Sequence, residues 1–424
     1  MTPAFRPLIL SLLLLVAVAT FNPPARAAGH PSGDVVVVLG DLEGNGEKFD
    51  HFVRHSHAFT AGPNGLSLRE GFHFVFLGDS IDRGPSAMRI IDALNQLKEN
   101  HPERVTLLLG NRDLNKLVIK HKFSAIISAG IPADVDYSAQ IEALKEFFKA
   151  ANAAGAFEFR REELAARTNR EISENEVFRS FLSDVAPDGR LSKYFRLAQI
   201  AYVHEPTKGL FLHGAIGPKS FGYVPGQARF TRVRSWVNAL NEWAATLPAE
   251  ILDYQRPLPE TPGKNDSSVI YGRFTDTSNN PVLPPEEIID MLAKEGIQYV
   301  SAGHTPTGDV PVIMSTRRVK FILADNSYSK QHRSSSVRID RKSISISGFT
   351  VSGQDFRAQV SFDARVNPIG RTMDGWRVLG TIGTGGDEYV AWRVGDGFKS
   401  LYRSMTPAQV REGLMQIFTC KDLF

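Results

Sequence analysis

Cysteine is almost absent: Cys420 is the only one in 424 residues, so no internal disulfide can form. An oxidising compartment is therefore permitted but not used for stapling, and stability must come from the core and from any bound metal. Long apolar runs are equally scarce. The one candidate, Leu8 to Ala19, is shorter than the roughly 20 residues a spanning helix needs, and Pro23 and Pro24 follow it closely. Arg6 before that run and Ala25-Arg26-Ala27 after it have the order of a secretory signal, cleaved after Ala27. Residues 1–27 are thus expected to be removed, leaving a periplasmic or secreted chain with no stable membrane anchor; a retained anchor is the alternative. Net charge is small as well, with 49 basic against 46 acidic residues. Losing the leader takes away two arginines and no acids, so the basic excess falls from three to one and no nucleic acid partner is indicated. Internal repeats and low-complexity segments are lacking. What is present is a 42% hydrophobic content, enough to bury a large core over two or three structural units and to exclude global disorder.

The apolar residues are organised. Val35 to Leu39, Phe72 to Leu77, Val105 to Leu109 and Leu210 to Leu212 are short runs dominated by β-branched and aromatic residues or leucine, which predicts buried strands. Each runs into a polar cluster: Gly40-Asp41, Gly78-Asp79, Gly110-Asn111 and His213-Gly214. A fifth run, Gln298 to Ser301, precedes Gly303-His304. Between them lie helical patterns such as Ser86 to Asn100, with Met88, Ile91, Leu94 and Leu97 on one face, so the order predicts an α/β fold. Ligands of such folds sit at the carboxyl ends of the strands. An Ala-, Glu- and Arg-rich insertion over about 116–205 predicts a helical cap, with helices across Ser138 to Ala151 and Glu174 to Leu182. Irregular loops follow at Pro257 to Ser268 and Thr275 to Pro285. From Ser334 the pattern becomes short alternating runs, Val337 to Ile339, Ser343 to Ser347, Gln359 to Phe362 and Tyr389 to Trp392, which predict a β-rich segment over 334–424 after a main domain at 34–333. Those strands could complete a second sheet or form a separate module.

The residues at the strand ends have a shared chemistry. Oxygen and imidazole donors (Asp41, Glu43, Asp79, Asp82, Asn111, His213 and His304) follow successive strands, where loops distant in sequence can converge on metal ions. Two cations a few ångströms apart would neutralise the charge that protects a phosphate ester and lower the pKa of a water towards about 7. Any one such residue is more often a turn or a satisfied polar group. Five ordered blocks together are not so explained.

The blocks Gly40-Asp41-Leu42-Glu43-Gly44-Asn45, Gly78-Asp79-Ser80-Ile81-Asp82-Arg83-Gly84, Gly110-Asn111-Arg112-Asp113, His213-Gly214 and Gly303-His304-Thr305-Pro306 resemble those of the calcineurin-like metallophosphoesterases. The Asp-Arg-Gly and His-Thr-Pro elements bring them closest to the phosphoprotein phosphatase branch and its bacterial relatives. The resemblance covers Val35 to about Asp325, interrupted by the cap. It implies two packed mixed β-sheets flanked by helices, and two divalent ions. Asp79 would bridge them, Asp41 and Glu43 would complete one site, and Asn111, His213 and His304 the other, with hydroxide generated at the pair as the nucleophile. It further implies Arg83 as a phosphate clamp, Asp82 as a group holding a neighbour in place, Asp113 as the acid of the third block, and Arg273, in Tyr271-Gly272-Arg273, as a second phosphate arginine.

Two positions depart from the family pattern. Glu43 stands where the family has His; a carboxylate favours hard cations, so Mn²⁺ or Mg²⁺ is expected ahead of Fe or Zn²⁺. Arg112 stands where the family has the His proposed as general acid. Arginine stays protonated near neutrality, so Arg112 would bind phosphate or stabilise charge on the leaving oxygen instead. A phenol, with a pKa of about 10, leaves more readily without protonation than an alkoxide. The expected substrate is therefore a phosphorylated protein or small phosphate ester, with a bias to phosphotyrosine or aryl phosphates. A nucleotide or phosphodiester hydrolase on the same scaffold, and a metal- or phosphate-binding protein without catalysis, are the alternatives. Three other features invite blander readings: His51, His55 and His57 as solvated or capping groups, the glycines from Gly380 to Gly386 as a hairpin turn, and Trp236 and Trp243 as core.

Overall fold

The computed structural model describes residues 35–417, except 64, 262, 330, 365, 384–387 and 396–398. The expected leader and Cys420 lie outside the described residues, as do the last three positions of the Gly380 to Gly386 run. Among the described residues no helix is long and apolar enough to cross a membrane.

The strand of four consecutive valines, Val35–Leu39, lies third from one end of a ten-stranded mixed sheet. On one side it pairs in parallel with Phe72–Phe76, which pairs in parallel with Val105–Leu107. Both faces of these strands are covered: Val36, Val37, Phe74, Val75 and Phe76 have no exposed surface, which is why their sequences are continuously apolar rather than alternating. On the other side Val35–Leu39 pairs antiparallel with Ser336–Ile339, in the register Val36 to Ile339 and Val38 to Val337. From there Ser343–Phe349, Asp355–Ser361, Trp376–Ile382, Glu388–Val394 and Ser400–Met405 add antiparallel strands in turn, and Thr372–Met373 pairs with Trp376–Ile382. The C-terminal segment thus extends the sheet of the first strand and does not complete the other sheet. The alternation in its sequence is real: Asp355–Ser361 buries Phe356, Ala358 and Val360 and exposes the residues between them. The last described element of the segment is a helix, Pro407–Ile417, that the strand pattern did not predict.

A second mixed sheet has the order Ala201–His204, Gly209–Leu212, Tyr299–Pro306, Lys320–Asp325, Val312–Ser315. The two sheets pack together with helices flanking them, as the resemblance implies. Helix Ala87–Asn100 buries Met88, Ile91, Leu94 and Leu97, the face its 3.6-residue period predicts. Between the third strand and Ala201–His204 the chain is helical: Asn111–Lys122, Ser124–Ser128, Ser138–Ala150, Ala156–Thr168, Glu174–Val185 and Arg190–Leu197. The first of these starts at Asn111 itself, so the polar block and the helical insertion are continuous. Glu163 of the insertion accepts hydrogen bonds from the backbone amides of Met88 (3.0 Å) and Arg89 (2.9 Å), giving helix Ala87–Asn100 the capping carboxylate that Ser86 does not supply.

Candidate active site

Four of the polar residues at the strand ends have backbones in the left-handed region, which non-glycine residues rarely occupy: Glu43 (φ 48°), Asp79 (φ 57°), Asp82 (φ 101°) and His304 (φ 59°). Such conformations persist only where surrounding contacts enforce them, and they collect at functional sites. Here they turn buried polar side chains from separate strands towards one place. Gly303 shows how closely the segments approach: a Cβ there would lie 2.2 Å from Asp41 Oδ1, so only glycine fits beside that carboxylate.

Asp79, His213 and His304 each offer a ligand atom within 4.8 Å of the others, and all three are buried. His213 Nδ1 lies 2.8 Å from the carbonyl oxygen of Leu77. Since a carbonyl can only accept, the ring proton sits on Nδ1 and the lone pair is on Nε2, 3.2 Å from Asn111 Oδ1 and 3.4 Å from Asp79 Oδ1. His304 Nε2 is buried and has no hydrogen-bond partner among the described residues. Burial pushes the His213 pKa down to about 3, with Arg273 and Arg112 adding to the effect, and it pushes His304 well below the ordinary value too. Both imidazoles are therefore neutral donors. The carboxylates are driven the other way. Burial raises the pKa of Asp41 well above the ordinary range, and Asp325, Asp79 and Glu43 raise it further. Burial also raises Asp79, which Arg112 opposes while Asp113 and Glu43 reinforce. Neutral imidazoles with an orphaned nitrogen, beside carboxylates short of positive charge, are the donor set of a divalent cation. The residues that would hold it are Asp79, Asn111, His213 and His304, with Asp41 adjacent, its two oxygens accepting from the His304 amide at 3.1 and 3.3 Å.

The remaining site residues have well-defined places. Asp113 has no exposed surface and accepts from the amides of Asp79 (2.9 Å), Ser80 (3.0 Å) and Gly110 (3.0 Å), and from the Ser80 hydroxyl (2.6 Å). It locks two ligand loops together from behind. Asp82 accepts from Lys116 Nζ at 2.6 Å and lies 3.8 Å from Arg112 Nη1. Arg112 Nε donates to Glu43 Oε1 at 2.5 Å and stands 3.6 Å from Asp79 Oδ2. Burial disfavours its charge, but Glu43, Asp79 and Asp82 outweigh that and raise its pKa, so it stays a cation. Glu43 has its other oxygen, Oε2, 3.2 Å from Arg83 Nη1, so both oxygens face guanidinium groups. Arg83 also donates to the Tyr328 hydroxyl (3.2 Å) and the Asn152 carbonyl (3.4 Å), at the edge of the site. Arg273 donates from Nη1 to the His304 carbonyl and from Nε to that of Gly263, both at 3.0 Å.

These groups open onto a cavity of about 440 Å³, lined by Asp41, Glu43, Asp79, Asn111, Arg112, Arg273 and His304; Arg83 is not part of the lining. Val118, Phe147, Ala150 and Leu252 give it an apolar wall, the first three from the cap helices Asn111–Lys122 and Ser138–Ala150. Asp325, Tyr271 and Tyr328 also line it and escaped the sequence reading. For Asp325 the signal was present, since it ends the apolar run Lys320–Asp325 as the other acids follow theirs. The tyrosines carry no local signal. His51 and His55 stack on each other at 3.8 Å, away from the cavity; Trp236 is fully buried, and Trp243 packs against Tyr254.

The family model for calcineurin-like phosphoesterases matches residues 34–308, well over half of the chain. The chain belongs to that family. No curated protein matches this calcineurin-like phosphoesterase. Solved structures similar to it include a mutant cold-active protein tyrosine phosphatase (14% identity, 78% of this chain and 80% of that one, TM-score 0.42). Others are a protein serine/threonine phosphatase from Saccharomyces cerevisiae with similarity to human phosphatase PP5 (13%, 73% and 73%, TM-score 0.35) and a protein described as a diadenosine tetraphosphatase (13%, 78% and 94%, TM-score 0.29). The family is metal-dependent, and Asp79, His213 and His304 form the candidate metal cluster in this member.

Proposed function

We propose that this phosphoesterase is an exported phosphomonoesterase that works with two divalent cations, Mn²⁺ foremost, and favours phosphotyrosine or other aryl phosphates. The observation that carries the reading is the buried donor set beside a permanently charged Arg112, at the floor of a cavity with an apolar wall. One cation is assigned to Asp79, Asn111, His213 and His304. The other is assigned to the Asp41 side of Asp79, where the resemblance also puts Glu43. Oxygen donors predominate on that side, which favours Mn²⁺ or Mg²⁺ over Zn²⁺. Divalent cations, when bound, supply charge neutralisation of the phosphate and a water of lowered pKa.

The protein's own groups do the rest. Asp113 and Asp82 hold the ligand loops and Arg112 in register. Arg112 faces the cavity as a cation and is suited to take phosphate oxygens and the charge that develops on the leaving oxygen. It cannot give that oxygen a proton, so a leaving group that is stable as an anion reacts faster. Val118, Phe147, Ala150 and Leu252 offer an apolar surface to an aromatic ring. Export rests on the residues of 1–27 alone. Turnover of matched phosphotyrosine and phosphoserine peptides tests the substrate reading. The phosphotyrosine peptide is expected to have kcat/KM higher by about tenfold or more, which is at least about 1.4 kcal/mol in the barrier. Equal or faster turnover of phosphoserine removes it.

A further inference from the structure

We infer that Asp325, rather than Glu43, completes the second cation site together with Asp41 and Asp79. The inference rests on the two-cation reading above and assigns one of its ligands.

Glu43 occupies the position at which the family resemblance puts a ligand, but its carboxylate is engaged. Oε1 accepts from Arg112 Nε at 2.5 Å and Oε2 lies 3.2 Å from Arg83 Nη1, with only 7% of the Glu43 side chain exposed. To bind a metal it would have to give up charge-assisted hydrogen bonds and leave Arg112, which is itself buried, beside a divalent ion. Glu43 is neutralised by guanidinium, and the chain has put Arg112 where it does so.

Asp41 and Asp325 are in the opposite condition. Both are buried, at 5% and 3% exposure, and among the described residues neither has an ion pair. Lys48 is close enough to interact electrostatically with both, but it sends its Nζ to the Asn326 carbonyl at 2.6 Å and forms an ion pair with neither. The backbone brings the two acids side by side: a Cβ on Gly40 would lie 2.0 Å from the carbonyl oxygen of Ala324, so the residues before Asp41 and Asp325 are in direct contact and the two side chains line the same cavity. A register shift between Leu323 and Asp325, against the strand that carries His304, places Asp325 opposite Pro306. Its Oδ1 is fixed by the Ser327 amide at 2.9 Å and the Ser327 hydroxyl at 2.6 Å. Two buried carboxylates held side by side, with no ion pair to either and Lys48 hydrogen-bonded elsewhere, are suited to share a cation. The same cavity holds the buried, partnerless Nε2 of His304, assigned above to the neighbouring cation, and the His304 amide holds Asp41 beside it.

The test is a calorimetric titration of the metal-free full chain with Mn²⁺, comparing wild type, Asp325→Asn and Glu43→Gln. The asparagine oxygen can still accept from Ser327, so the loop is retained. Loss of groups that merely orient ligands costs about 10–100-fold in metal affinity, so loss of a ligand should cost at least that. Wild type is expected to take two ions. Asp325→Asn is expected to lose one of them or bind it at least about tenfold more weakly, with a smaller rise in Tm on adding Mn²⁺, whereas Glu43→Gln keeps both. If Asp325→Asn does not fold, Asp325→Ser carries the same titration. Two ions retained at unchanged affinity in the Asp325 variant overturn the assignment and leave the two-cation reading standing. A single ion in wild type overturns both.

Discussion

At the scale of single residues, the site is governed by where buried charge finds a partner. Arg112 is the hub, touching Glu43 directly and lying within 4 Å of Asp79 and Asp82. Arg112→Ala is therefore expected to lower kcat by at least about a hundredfold, the scale of losing one charge-stabilising group. It should also destabilise the fold by about 3 kcal/mol, because Glu43 and Asp82 stay buried with one cation each. Steady-state kinetics and urea unfolding read the two effects, and an unchanged kcat would show that Arg112 is only structural. The donors Asp41, Asp79, Asn111, His213 and His304 were legible in the sequence because each follows or lies in a run that had to be a buried strand. The pairing of Glu43 with Arg83 and Arg112 was not. It joins residues 40 and 69 positions apart, and nothing local to Glu43 distinguishes a carboxylate awaiting metal from one already neutralised.

Among the elements, the strands and the main helices could be read from their periodicity, and the ends less so. Gln298 to Ser301 promised a strand ending before His304, whereas Tyr299–Pro306 runs through it, with His304 at a positive φ. Pairing with Lys320–Asp325 supplies hydrogen bonds that the local sequence does not reveal. The insertion announced two helices and holds six elements, since short helices such as Ser124–Ser128 have too few turns to show a period. The destination of the C-terminal strands was not readable either. Alternation predicts strands but not the edge they join, and that edge is Val35–Leu39. Glu163 links the insertion to the core through the start of helix Ala87–Asn100. Glu163→Ala should cost about 1–2 kcal/mol in chemical denaturation, in line with loss of a helix cap, while leaving the metal stoichiometry at the wild-type value. A change below about 0.3 kcal/mol would mean that the cap contributes nothing, since even surface substitutions fall within about 0.5 kcal/mol.

For the whole molecule, the two sheets form a frame whose polar strand ends meet at one cavity, and buried ionisable groups lie both in the frame and at the site. In the frame, His73 is 2% exposed, hydrogen-bonded to Thr106 at 2.9 Å, and its pKa is held well below the usual value by burial and then by His204. The unfolded chain takes up a proton at this imidazole below about pH 6.5 and the folded chain does not, so its contribution is intact above that pH and is lost as pH falls towards the depressed folded value. Thermal unfolding from pH 7.5 down to 5 should therefore show a loss of stability that His73→Gln makes shallower; an identical pH slope in the variant would rule this out. The site itself is tested most directly by hydrolysis of p-nitrophenyl phosphate by the chain from residue 28 onward. The donor set predicts turnover that a chelator abolishes, that Mn²⁺ restores, and that Asp79→Asn removes in either condition. Full turnover by metal-free protein, or by Asp79→Asn, would contradict the claim that these buried carboxylates and imidazoles act by holding divalent cations.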